Sequence, residues 1–258
     1  MARDRLLARD RIVPLLILVS VMLGWELATR VFQIPRWVLP PPSAVVQALI
    51  RDQRLLLRHL TVTLEEVGLG LIFSVLLAIV LAIGIVSSRL VERSVYPLVV
   101  ASQAVPIVAL APILLIWFGY GLTPKVIVVV LVCFFPIAVN LVDGLRGVDP
   151  EFVDLVRSFG GTSWQTLRVV RIPGALPAFF SGLRVAAAVS VIGALIGEWV
   201  GSSAGLGYLM IRAASQFHTD RVFAAVLVSA VVSIGLFWIV GVVERIALPW
   251  RRPARTET

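Results

Sequence analysis

DPEFVDLVRSFGGTSWQTLRVVRIPGALP, residues 149–177, is the longest polar interruption in an otherwise apolar chain. Its local chemistry predicts two short helices joined by a glycine elbow. Asp149 can cap a helix whose first residue is Pro150, where the missing N–H costs nothing, and Glu151 opposes the positive end of the helix dipole. Phe152, Leu155, Val156 and Phe159 recur at helical spacing and make one face apolar. Gly160-Gly161 stops that helix, because glycine takes the left-handed conformation of a C-terminal cap. Thr162 or Ser163 then caps a second helix carrying Trp164, Leu167 and Val170, which Pro173 and Pro177 are expected to end. Physics alone reads this segment as a solvated loop with surface helices outside a bilayer.

The rest of the chain supplies the bilayer. Of 258 residues, 59% are hydrophobic and 15% charged, and the mean hydropathy is +0.98. Those values belong to a polytopic membrane protein; a soluble α/β protein would have shorter apolar runs. A span needs about 20 apolar residues, which leaves room for roughly six. The single cysteine, Cys133, lies inside an apolar run, so neither a disulfide framework nor a metal cluster is expected. The net charge of +8 reflects 23 basic residues against 15 acids. In a membrane protein this excess marks arginines retained on the cytoplasmic side; no basic stripe interleaved with exposed aromatics suggests nucleic acid.

Six transmembrane helices are expected, near 12–28, 62–86, 94–117, 125–142, 180–200 and 222–243. The first follows four arginines but no small-x-small cleavage site precedes a soluble region, so it reads as a retained helix rather than a signal peptide. Glu26 and Arg30 are placed to pair at its outer end. In the outer loop, 33–60, a proline stretch precedes Ser43, expected to cap a short helix through Ile50. Glu65 and Glu66 are expected to be solvated at the interface. A metalloprotease reading fails because His59 and His218 are isolated. Pro97, Pro106 and Pro112 predict a bent or partly unwound third span. There Ser102 and Gln103 would face either a pathway or the helix bundle, or else mark a plain structural kink. Glu198, ending the fifth span, is expected to reach water. Gly193, Gly197 and Gly201 form small-xxx-small pairs suited to close helix approach. The loop from Gly201 to Leu209 superficially resembles a dinucleotide fingerprint, but it lacks the third glycine and a βαβ setting.

With the N-terminus inside, 15 of the 23 basic residues fall on inner segments and 8 on outer ones. The positive-inside rule then places both termini and the 149–177 segment in the cytoplasm.

The spacing within 149–177 resembles the cytoplasmic signature of binding-protein-dependent ABC importer permeases: an acid-Ala-Ala triplet, a glycine six residues after the acid, and an apolar-x-apolar-Pro ending. Asp154, Leu155 and Val156 stand at the triplet, Gly160 at the glycine, and Val170, Ile172 and Pro173 at the close. The triplet differs from the family pattern at each position, with Asp for Glu and bulkier residues for both alanines. The resemblance implies one permease domain over 1–258, of the all-α, six-helix type I ABC importer class. Within it, 149–177 would be the coupling segment that docks on a separate ATP-binding subunit. It also implies an extracytoplasmic substrate-binding protein, a second copy of the chain, and a bacterial inner-membrane location.

The resemblance extends over nearly the whole chain. Residues 39–45, 106–121 and 201–209 are similar to the permease group serving nitrate, sulfonates and taurine. Ser102-Gln103-Ala104-Val105-Pro106-Ile107 and Cys133-Phe134-Phe135-Pro136-Ile137 resemble permeases for riboflavin or the thiamine pyrimidine precursor. Ser102, Gln103, Pro106, Phe134 and Asn140 are the candidate pathway residues. A flat heterocycle suits aromatics without fixed cations, whereas an oxyanion would favour arginine, and no arginine is expected mid-span.

No residue set suggests covalent catalysis. The only lysine, Lys125, follows no glycine-rich turn, so ATP would be bound by the partner subunit and no cofactor by this chain. An ion-coupled carrier is the more distant alternative; it usually keeps charges in mid-membrane, and all 15 acids are expected at span ends or in loops.

Overall fold

The computed structural model describes residues 2–251, which are helical with no strand among them. The helices are α1 (Ala2–Val31), α2 (Pro42–Arg51), α3 (Gln53–Ser87), α4 (Arg89–Ala101), α5 (Ile107–Phe118) and α6 (Leu122–Arg146). They continue with α7 (Pro150–Ser158), α8 (Ser163–Thr166), α9 (Ile172–Trp199), α10 (Leu206–Ser215) and α11 (Thr219–Ala247). Arg252 and Arg255, two of the basic residues assigned to inner segments, lie outside the described residues.

Four stretches, Gln53–Ser87, Leu122–Arg146, Ser163–Trp199 and Thr219–Ala247, are long and apolar enough to cross a membrane. Where a third span was expected, α4 and α5 are bent by 102° about a short break. The break is one 3₁₀ turn, Ser102–Ala104, followed by extended Val105 at φ −82° and ψ 121°. Pro106 accounts for it: its ring drives the preceding residue out of the helical region, and it has no N–H to continue the ladder. The six expected spans thus become, among the described residues, four unbroken helices and one broken pair. The expected first span, 12–28, falls within α1.

Contacts divide the chain into two compact units, 1–59 with 209–228, and 60–208 with 229–258. In the first, Glu26 ties α1 to α2. Its carboxylate accepts from the Ser43 amide at 3.0 Å, the Ser43 hydroxyl at 2.8 Å and Arg30 Nε at 2.7 Å. The expected Glu26–Arg30 pair is present. Ser43, however, does not cap α2: Pro41 stands at the N-cap without a side-chain bond, and Ser43 is taken by Glu26. The Trp25 and Phe223 rings pack at 5.6 Å. Asp52 accepts from Arg51 at 2.9 Å and from Arg221 at 2.8 Å.

The second unit is built on α6 against α9. Val129, Cys133, Ile137 and Ala138 of α6 are buried with Ala186, Val191 and Ala194 of α9, joined by Val67 and Ala78 of α3. The Cys133 thiol donates to the Ala186 carbonyl at 3.4 Å. The close approach depends on absent side chains. A methyl at Gly182 would meet the Pro136 carbonyl oxygen at 2.5 Å, and at Gly193 and Gly197 it would meet Val129 Cα and Lys125 Cα at 3.1 Å. The expected small-residue face therefore exists, at Gly193 and Gly197, with Gly182 added to it.

Candidate functional site

The elbow segment forms largely as its local chemistry dictates. Asp149 caps α7 by accepting the Glu151 amide at 2.9 Å, and Pro150 is the first helical residue. Gly160 closes the helix in the left-handed region at φ +80°, a conformation that costs other residues about 1–2 kcal/mol. Thr162 and Gln165 form a reciprocal capping box at the start of α8. Val153 alone of α7 is buried; Phe152, Leu155 and Phe159 are exposed, Phe159 to 84%. A short helix that leaves its apolar side uncovered marks an interaction surface.

The second helix does not end where expected. A π turn over Leu167–Arg171 carries the chain from α8 into α9, and Ser163–Trp199 runs as one 37-residue stretch. The π turn leads directly into Pro173 at the start of α9, and Pro177 lies inside the helix without ending it. The fifth span thus starts at Ile172 rather than 180. Of the candidate coupling residues, Asp154, Leu155 and Gly160 are exposed, while Val156, Val170, Ile172 and Pro173 are half-buried.

The candidate pathway residues are not gathered by mutual hydrogen bonds. The Ser102 hydroxyl donates to the Val99 carbonyl at 2.6 Å and Asn140 Nδ2 to the Pro136 carbonyl at 2.7 Å. Phe134 sits in the core, and Gln103 and Pro106 are exposed on the broken pair.

What the sequence reading missed is a buried charged cluster. Glu66 is fully buried, and its Oε1 accepts from Lys125 Nζ at 2.8 Å. Glu198, 1% exposed, accepts the Thr63 hydroxyl at 2.6 Å and the Gly207 amide at 2.5 Å. Thr63 Oγ1 in turn accepts the Leu206 amide at 2.9 Å. Neither Glu66 nor Glu198 therefore reaches water as expected; Glu65 is exposed. The glycine loop is shaped around the Glu198 carboxylate, since a methyl on Gly205, at φ +109°, would fall on it. Ser87 ends α3 and Arg146 ends α6, so Glu66 and Lys125 each stand 21 residues before the last residue of their helix; the expected span ends, 86 and 142, did not reveal that match.

Arg184 is a further correction. No arginine was expected mid-span, yet Arg184 lies within α9, with its guanidinium paired to Glu244 and 5.8 Å from the centre of the Phe237 ring. Glu198 stays at the end of α9, as expected, but with Glu66 and Arg184 inside helices the placement of charges no longer argues against ion coupling.

Comparison with known proteins decides that question. The family described as "Binding-protein-dependent transport system inner membrane component" matches residues 74–246. A probable ABC transporter permease protein of Haemophilus influenzae is 41% identical, covering 87% of this chain and 92% of the relative. The formylaminopyrimidine transport permease ThiX of Halalkalibacterium halodurans is 40% identical, covering 93% and 96%. The riboflavin transport system permease RibX of Chloroflexus aurantiacus is 34% identical, covering 90% and 88%. Sulfonate and taurine permease proteins match at 29% and 30% identity. The fold is that of a solved amino acid ABC transporter chain, with a TM-score of 0.66 at 19% identity, covering 77% of this chain and 97% of that one. The elbow, the broken helix and the packed α6–α9 pair thus belong to a multi-pass membrane protein of the binding-protein-dependent inner membrane component family, an ABC importer permease of the group that includes sulfonate, taurine, pyrimidine and riboflavin permeases.

Proposed function

We propose that the chain forms the membrane pathway for a small vitamin-type heterocycle, a pyrimidine or a flavin, and that a separate ATP-binding subunit drives it through α7. The observation that carries the coupling role is the uncovered apolar side of α7, joined by the capped elbow to a helix long enough to span the bilayer. Asp154, Leu155, Val156 and Gly160 would meet the ATPase, with Val170, Ile172 and Pro173 passing its movement to α9. Residues 1–258 would act as one permease domain, paired with a second copy and served by an extracytoplasmic binding protein. Both termini would be cytoplasmic, as the arginine bias favours.

The heterocycle is supported by the names of the pyrimidine and riboflavin relatives. The sulfonate reading gains one observation, the guanidinium of Arg184 inside α9; its pairing to Glu244 leaves it a poor oxyanion anchor. Ser102, Gln103, Pro106, Phe134 and Asn140 are proposed to line the pathway. Uptake by cells expressing the chain with its ATPase and binding protein, using labelled formylaminopyrimidine, riboflavin and taurine in parallel, tests the substrate. Uptake of either heterocycle is expected; uptake of taurine alone would overturn the choice. Gln103→Ala should change the substrate profile while the ATPase still co-purifies, and an unchanged profile would return Gln103 to packing.

A further inference from the structure

A cavity of about 410 Å³ opens where the end of α3 meets the elbow, lined by Ser87, Arg157, Ser163, Trp164 and Arg171, with Val86 and Leu167 beneath. Its charge is unbalanced. Arg171 is half-buried and, among the described residues, its guanidinium makes no hydrogen bond or ion pair. Arg157 has a single ion pair, a long one of 3.8 Å to exposed Asp154 in its own helix. Two guanidinium groups on one small cavity repel each other, and a half-buried one loses water without gaining a partner. The Ser87 and Ser163 hydroxyls make no side-chain hydrogen bond to the described residues and remain available as donors. Guanidinium groups in planar, bidentate geometry together with hydroxyls are what a phosphate oxyanion requires.

The depth is also specific. Ser87 is the last residue of a spanning helix, and Arg171 immediately precedes α9. The cavity therefore lies at the boundary between apolar span and water, the level of phospholipid headgroups, and exposed Trp164 is the residue type that favours that boundary. We infer that this cavity binds a phosphate group, supplied by an anionic phospholipid of the adjoining leaflet or by free phosphate, with Arg157 and Arg171 as its cationic ligands. The site does not depend on the proposed substrate or on which side of the membrane the elbow faces.

The full-length chain, purified in mild detergent, is titrated with phosphatidylglycerol and separately with inorganic phosphate, and occupancy is read by native mass spectrometry. Wild type is expected to hold phosphatidylglycerol at least about fivefold more tightly than R157Q or R171Q. Exposed Arg168, which does not line the cavity, provides the control R168Q, expected to bind as wild type does. R171K checks that R171Q has lost binding rather than fold, and should retain part of the affinity. Displacement of the lipid by millimolar phosphate, with direct phosphate binding that needs Arg171, would identify free phosphate as the source. Equal binding of both probes by wild type and the two glutamine variants would overturn the site. So would a cross-link from position 171 to an acidic residue of the ATPase in a lipid-free assembled transporter, because a protein carboxylate would then fill the cavity.

Discussion

Lys125 is the chain's only lysine, and it serves a carboxylate that no water reaches. Removing one partner of a buried pair leaves an uncompensated charge, which costs about 3–5 kcal/mol, whereas replacing both is far milder. Lys125→Met should therefore lower the thermal midpoint of the detergent-solubilised protein sharply, and Glu66→Gln in the same chain should restore most of it. A single variant as stable as wild type would mean that water enters the cluster. Outside the spans, Asp52 gives a pH-dependent counterpart. The hydrogen bond from Arg51 is the largest influence holding its carboxyl below the ordinary carboxylate value; burial opposes this and Arg221 adds to it. Because the folded-state value is the lower one, the stabilisation is complete above the unfolded carboxylate value, near pH 4, and disappears as pH falls through the folded value. Asp52→Asn should flatten the acid side of the stability profile while costing stability at pH 7; an unaltered acid limb would remove Asp52 from the account. Glu198 was expected at the end of its span and is there; the 201–207 loop that folds over it is what buries it. Glu66 was not legible as a buried residue, because a glutamate at a span end and one inside a span differ only in where the helix begins. The α3 helix begins at Gln53, before the apolar run does.

At the scale of elements, the elbow was legible wherever its causes were local. The Asp149 cap, the Gly160 stop and the Thr162 start each depend on a few adjacent residues. The end of the second helix was not legible, because the chain runs on through a π turn past Pro173, and α9 tolerates Pro177 in its interior at the loss of one backbone bond. The π turn, not the proline, decides that register. Likewise Pro106 announced a break but not its 102° angle. Gly160→Val tests the elbow directly. At φ +80° a β-branched residue is strained by about 1–2 kcal/mol or more, so α7 should be re-aimed. Transport should fall at least about tenfold, a loss equivalent to about 1.4 kcal/mol of coupling, with membrane abundance unchanged. Uptake at the wild-type rate would remove the elbow from the coupling path.

For the whole molecule, composition and hydropathy were enough to read a helical membrane protein, because every span must bury its own backbone hydrogen bonds. The family was legible from the elbow and the proline-rich stretches; the substrate was not, since pyrimidine, riboflavin, sulfonate and taurine permeases all match this chain over most of its length. The division of labour among chains is equally outside a single sequence. If two copies build the pathway, native mass spectrometry of the assembled transporter should show two copies of this chain with two ATPase subunits. A second, different permease chain in the complex would replace the homodimer with a heterodimer.

The 37 residues of Ser163–Trp199 have the elbow at one end and Glu198 at the other. At 1.5 Å per residue such a rod is about 55 Å long, so a tilt of about 5° about one end moves the other by about 5 Å. Hydrogen bonds of 2.5–2.6 Å to the Glu198 carboxylate tolerate only a small fraction of that displacement. The lever arm is thus long and its far anchorage short-ranged: a modest rotation beside α7 either releases Thr63 and Gly207 from Glu198 or carries both along with it.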